Sequence, residues 1–264
     1  MKRLLLIFLL FISSSNYINE LLDSDFSNYK LGSILKKSLQ KEGQKIDLPF
    51  KTKIKLFKFY NTAIIYKIFI EQGQKLEIDL NYDIEVFIKV NDNFISINNF
   101  ESKENTYYNL YIIPKFLDTR TIKLTIKKFP SLLFPVAGKN KNNILSKFGA
   151  PRGNNRKHEG VDIFAKFNTP IYSVDDSIVI NTESNPLGGN SIILWDEKRQ
   201  FYYYYTHLIN ISVKKGDIIK RGKIIGGIGN TGNALTTPPH LHFGIYKMYW
   251  YNPIDPITFI SYTY

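Results

Sequence analysis

Cysteine is absent from all 264 residues. That excludes disulfide frameworks, thiol nucleophiles, iron–sulfur clusters and every cysteine-based zinc site, and it leaves His, Asp and Glu as the protein ligands open to a transition metal. Histidine is scarce as well, with four in the chain. No apolar run approaches the roughly 20 residues that a membrane-spanning helix needs. Lysine and arginine never form a stripe interleaved with aromatics, so nucleic-acid binding would rest on net charge alone and is not expected. The glycine clusters of the second half are not followed by a helix opening on Lys-Ser/Thr, which argues against a phosphate loop.

What is present has globular proportions. Apolar residues make up 44% and charged residues 22%, a composition that fits one or two domains with a sizeable core. Basic residues exceed acidic ones by 35 to 23, a net charge of +12. The excess is spread along the chain; it serves solubility and suits an anionic cell envelope.

Met1-Lys2-Arg3 followed by the unbroken apolar run Leu4–Ile12 and then Ser13-Ser14-Ser15 has the three-part layout of an export signal. Residues 1–15 are expected to be a signal peptide cleaved near Asn16. With no cysteine after the apolar run there is no lipid-attachment site. The mature chain is expected in the periplasm or cell envelope, with no membrane span once the signal is removed.

Leu31, Ile34, Leu35 and Leu39 recur at helical spacing and Gly43 follows as a stop, which predicts one short amphipathic helix over 24–42 in a helical and linking segment, 16–46. From Lys53 to Lys128 the period shortens to two. Runs at 53–60, 63–70, 75–80, 84–90, 94–97, 107–113 and 121–127 are separated by Gln72-Gly73-Gln74, Asn91-Asp92-Asn93 and Asn98-Asn99. Six or seven short strands with turn chemistry between them predict a small β-sandwich over 47–130. It holds no histidine, acidic cluster or phosphate loop. A polar stretch at 130–157 leads into a second, mainly antiparallel β domain, 131–264, with strands expected at 171–174, 177–180, 190–195, 201–207, 223–228 and 240–246.

All four histidines lie in that second domain: His158, His207, His240 and His242. In His158-Glu159-Gly160-Val161-Asp162 an imidazole and a carboxylate stand four apart, where a curved segment can turn both to one point. In His240-Leu241-His242 the strand period sends both rings to one face and Leu241 to the core. A catalytic zinc takes three ligands from His and carboxylate and keeps one position open. His158, Asp162 and one of His240 and His242 could supply them, and the remaining imidazole could act as base or steady an oxyanion. Strict alternation puts Tyr203, Tyr205 and His207 on one strand face and Tyr202, Tyr204 and Thr206 on the other, leaving His207 as a second catalytic imidazole.

The order and spacing of these residues resemble the zinc metallopeptidases of the lysostaphin and LytM type, peptidase family M23. The resemblance runs over about 120 residues, from Lys147-Phe148-Gly149-Ala150-Pro151-Arg152 through His158-Glu159-Gly160-Val161-Asp162, Gly188-Gly189-Asn190, Tyr205-Thr206-His207-Leu208 and Gly229-Asn230-Thr231-Gly232 to Pro239-His240-Leu241-His242-Phe243. It implies that His158, Asp162 and His242 hold one Zn²⁺ per chain and that His240 and His207 flank the reacting water. His240 is the expected base. His207, and with it Tyr205, is expected to bind the oxyanion. It further implies an endopeptidase acting on the stems or cross-bridges of peptidoglycan. The same fold also occurs in non-catalytic relatives that activate a separate amidase, and these typically lose metal ligands. Asn168 and Ser177 stand where glycine is common and Thr206 where Ala or Ser is usual; none is a ligand. Residues 16–130 carry no motif of the family.

Overall fold

The computed structural model describes residues 37–56, 63–82, 84–91, 93–113, 120–153, 155–249 and 251–261. The expected signal peptide lies outside these residues, as does most of the expected helix 24–42, of which residues 37–39 are described and helical. The chain divides into two compact units, Met1–Phe129 and Pro130–Tyr264.

The first unit contains β1 (Gln44–Lys45), β2 (Phe50–Lys55), β3 (Ile64–Ile70), β4 (Gln74–Leu80), β5 (Glu85–Val90), β6 (Asn93–Ser96), β7 (Thr106–Ile113) and β8 (Thr121–Pro130). They form a five-stranded sheet, β1-β3-β7-β5-β6, and a three-stranded sheet, β2-β8-β4. The period of two explains the packing: on β8 Ile122, Leu124 and Ile126 are buried while Lys123 and Lys127 face water. These isoleucines and leucines, with Leu76, meet Ile68, Ile70, Ile88, Leu110 and Ile112 of the larger sheet in one core, each fully buried side chain contributing about 1.5–3 kcal/mol. The larger sheet is covered on its other face too, where Leu39 packs with Ile65, Phe87, Phe94 and Tyr111. This is the mainly β, two-sheet arrangement that the pattern implied. The two-residue strand β1, which pairs parallel with β3, has no periodicity by which to be found.

The second unit contains β9 (Ile144–Ser146), β10 (Val161–Phe164), β11 (Pro170–Tyr172), β12 (Ser177–Asn185), β13 (Gly189–Asp196), β14 (Phe201–Ile211), β15 (Ile218–Ile219), β16 (Ile224–Ile228), β17 (His240–Met248) and β18 (Tyr251–Ile254). They build one antiparallel sheet along the path β15-β12-β13-β14-β17-β10-β9, with β16 pairing β14 and β11, and β18 pairing β17. Its core contains Ile163, Leu194, Tyr203, Tyr205, Leu241, Phe243 and Ile245, closed by Phe259 and Ile260 of the helix Ile257–Ile260. Since Leu241, Phe243 and Ile245 of β17 point into this core, His240, His242, Gly244 and Tyr246 alternate onto the opposite face.

Candidate metal centre

Two neighbouring strands bring the ligand candidates together. β10 and β17 pair antiparallel with Asp162 opposite His242 and Phe164 opposite His240. His158 precedes β10 in a loop held from both sides by backbone, its N–H donating to the Ala150 carbonyl and its own carbonyl accepting from Gly149. Gly160 lets this loop close: a Cβ there would meet the Phe243 carbonyl and approach the His242 ring to 2.8 Å. The imidazole of His242 thus packs on bare backbone, which explains the glycine between His158 and Asp162.

Three ligand-type atoms converge. His158 Nε2 lies 2.8 Å from His242 Nδ1 and 3.0 Å from Asp162 Oδ1, and His242 Nδ1 lies 3.1 Å from the same oxygen. A carbonyl oxygen can only accept, so His158 Nδ1 donates to the Lys147 carbonyl at 2.9 Å and Nε2 is the ring nitrogen turned to the cluster. The Asp162 side chain is 10% exposed. Burial acts to raise its pKa, but the imidazoles of His158 and His242 outweigh burial and hold the carboxyl well below the usual carboxylate range. Burial also pushes the His242 imidazole down, against the pull of Asp162. Two ring nitrogens and a carboxylate oxygen within 3.1 Å of one another suit a shared cation. The donor set of two His nitrogens and one carboxylate oxygen is that of a transition-metal site with an open position.

The other two imidazoles stand beside this cluster. The His207 ring centre is 5.0 Å from that of His240 and 6.3 Å from that of His242. Both rings are anchored the way His158 is: His207 Nδ1 donates to the Thr231 carbonyl and His240 Nδ1 to the Pro238 carbonyl, each at 2.9 Å. His240 is also stacked on Phe164, its cross-strand partner, at 4.9 Å. Burial pushes the His207 pKa down to about 4, more than the Thr231 carbonyl raises it, so the ring is neutral at neutral pH.

The strand carrying His207 departs from strict alternation. Between Tyr205 and Leu208 of β14 there is one residue more than between Ile192 and Asn190 of β13 opposite, and His207 has φ +65°. This bulge turns His207 away from the face of Tyr203 and Tyr205. The expectation for Tyr205 is therefore corrected. Its ring is fully buried against Phe243, and its hydroxyl accepts from the Val174 N–H at 3.1 Å. It cannot touch a substrate. Tyr204, on the other face of the strand, lies edge-on to His242 at 6.2 Å. Glu159 is turned to Tyr246, whose hydroxyl donates to it at 3.2 Å.

Sequence reasoning did not single out Arg152, Ser146 or Thr231, although Arg152 and Thr231 lie in the runs that carry the resemblance. Arg152 Nη2 donates to Asp162 Oδ2 at 2.6 Å and to Ser146 Oγ at 2.9 Å. Thr231 is placed by the two glycine turns: its Oγ1 accepts from Asn190 N–H, and Gly189, at φ +61°, passes so close to Thr231 and Gly232 that a Cβ has no room.

Residues 156–256 match peptidase family M23. The chain is 35% identical over 123 residues to the L-Ala--D-Glu endopeptidase of Bacillus subtilis (strain 168), covering 43% of this chain and 37% of that protein. It is 38% identical over 86 residues to the peptidoglycan DD-endopeptidase ShyA of Vibrio cholerae serotype O1, covering 33% of this chain and 19% of that protein. The chain thus spans well under half the length of either relative. Among solved structures, the catalytic domain of lysostaphin from Staphylococcus simulans is 34% identical, covering 44% of this chain and 90% of that one with a TM-score of 0.40.

Proposed function

We propose, from the match of residues 156–256 to peptidase family M23, that the chain is a zinc-dependent endopeptidase hydrolysing the peptide stems or cross-bridges of bacterial peptidoglycan. The observation that carries the reading is the convergence of His158 Nε2, Asp162 Oδ1 and His242 Nδ1, with two anchored imidazoles beside it. The names of the similar proteins, an L-Ala--D-Glu endopeptidase and a peptidoglycan DD-endopeptidase, support the substrate class. Export by residues 1–15 and action outside the cytoplasm belong to the same reading.

His158, Asp162 and His242 would hold one zinc ion. When bound, the ion would supply Lewis-acid chemistry, polarising a carbonyl and bringing the pKa of water down toward about 7. The remaining steps fall to the protein. His240, anchored through Nδ1 to the Pro238 carbonyl and stacked on Phe164, is the base that takes the proton of the attacking water and returns it to the leaving amine. The role for His207 changes from the expected one. With its Nδ1 proton committed to the Thr231 carbonyl, the neutral ring offers an acceptor at Nε2, so it orients the attacking water by accepting a hydrogen bond. The amidase-activator reading draws no support from a chain that keeps every ligand-type residue and both flanking histidines.

The test is digestion of purified peptidoglycan by residues 16–264. New amino termini and muropeptide masses should appear, vanish with a chelator and return with Zn²⁺. Folded, zinc-loaded protein that cuts no peptide bond but stimulates an amidase would overturn the proposal.

A further inference from the structure

We infer that Arg152 is a positioning residue for metal uptake, acting through Asp162. The inference rests on the reading of the centre as a zinc site. A carboxylate has two oxygens, and in Asp162 they face different partners. Oδ1 looks into the cluster, 3.0 Å from His158 Nε2 and 3.1 Å from His242 Nδ1. Oδ2 is taken by the Arg152 guanidinium at 2.6 Å, the short distance of a charge-assisted hydrogen bond. One oxygen is therefore reserved for the ion and the other is clamped, which fixes the rotation of the carboxylate about its own axis.

The clamp is built into the sheet. The same Nη2 reaches Ser146 Oγ at 2.9 Å, and Ser146 is the β9 residue paired with Asp162 of β10. Ser146 Oγ also lies 3.3 Å from His158 Nδ1, whose proton goes to the carbonyl of the next residue, Lys147. The end of β9 thus steers two ligands at once, the carboxylate through Arg152 and the imidazole through a backbone carbonyl. Partners behind the ligands of a metal site orient them, and losing one typically costs about 10–100-fold in metal affinity.

The hairpin carrying Arg152 does not depend on its side chain. The Arg152 N–H donates to the Arg156 carbonyl, and Pro151 and Lys157 form an isolated bridge. Truncation at Cβ should leave that backbone in place, which separates positioning from folding.

The experiment measures the Zn²⁺ dissociation constant of residues 16–264 by competition with a chromophoric chelator, together with the melting temperature of the metal-free protein. Arg152→Ala should weaken zinc by about 10–100-fold while the metal-free melting temperature stays near wild type. Arg152→Lys, which keeps donors on a shorter stem without the planar guanidinium, should recover part of the loss. In an Asp162→Asn background, Arg152→Ala should cost little more, because the group it acts on is gone. Zinc affinity unchanged in Arg152→Ala, or an undiminished loss in the Asp162→Asn background, overturns the inference. Should Arg152→Ala fail to fold, Arg152→Lys and Arg152→Gln carry the same comparison, and wild-type affinity in both overturns it. Wild-type protein that takes up no zinc removes the zinc reading itself, an outcome distinct from wild-type uptake that ignores Arg152.

Discussion

His158, His207 and His240 each give the Nδ1 proton to a backbone carbonyl, of Lys147, Thr231 and Pro238 respectively. All three therefore turn Nε2 away from the backbone anchor, whereas His242 turns Nδ1 to the cluster. Spacing alone left His240 and His242 interchangeable as ligands, and the backbone separates them: His242 is opposite Asp162, and His240 is one pleat away, opposite Phe164. The expected consequence is that His242→Ala loses most of its zinc, whereas His240→Ala keeps zinc and fold but loses activity by about 10²–10⁴, the range of a general acid–base group. Zinc measured by mass spectrometry beside turnover on muropeptides checks both; full zinc in His242→Ala would defeat the ligand assignment. The tautomers could not be read from sequence, because the carbonyls that set them belong to residues of no particular type. Tyr205 makes the complementary case. Removing its hydroxyl in Tyr205→Phe strands a buried Val174 N–H, which should cost about 1–3 kcal/mol of stability and leave KM unchanged; a raised KM with unchanged stability would restore the substrate role that its burial denies it.

At the scale of the element, a period of two was enough for β17, where Leu241, Phe243 and Ile245 go to the core and the histidines to the other face. The same rule misplaced His207, because β14 carries one extra residue opposite β13. Nothing in Tyr205-Thr206-His207-Leu208 announces a bulge: His207 is not a glycine, yet it adopts φ +65°. The compensation comes from elsewhere. His207 N–H donates to the Gly188 carbonyl and its ring to the Thr231 carbonyl, so the turns around Gly188-Gly189 and Thr231-Gly232 close over the bulge and hold the imidazole. The glycine pairs were visible in the sequence as punctuation, and their service to a histidine far along the chain was not. Gly189→Ala should displace Thr231, since Gly189 is at φ +61° and lacks room for a Cβ. The left-handed backbone alone costs a non-glycine residue about 1–2 kcal/mol. We expect zinc binding to survive, because the ligands sit on β10, β17 and the loop before β10, and turnover to fall toward that of His207→Ala. Zinc lost together with turnover would mean that the turns support the metal cluster itself.

For the whole molecule, the shift from a sandwich without histidine to a domain containing all four was legible in composition, and the structure gives each part its own core. Every residue assigned to the centre, from Ser146 to His242, belongs to the unit Pro130–Tyr264. That unit also claims the segment leading into it: Leu132 and Val136 are core residues, and Leu132 N–H donates to the Phe259 carbonyl and Leu133 N–H to the Val174 carbonyl. A fragment must therefore begin no later than Pro130 if it is to keep these contacts. Separate cores imply separate unfolding transitions, and a ligand stabilises only the unit that binds it, by RT ln(1 + [L]/Kd), or about 4 kcal/mol at a thousandfold excess over Kd. In calorimetry of residues 16–264 we expect two transitions, of which a chelator lowers one and leaves the other in place. Residues 130–264 alone should reproduce the chelator-sensitive transition, bind zinc as tightly as the longer chain and cleave soluble muropeptides. A single transition, moved as a whole by the chelator, or a zinc-free fragment beside a zinc-loaded full chain, would show that the sandwich contributes to the stability of the centre and that the two cores do not fold independently.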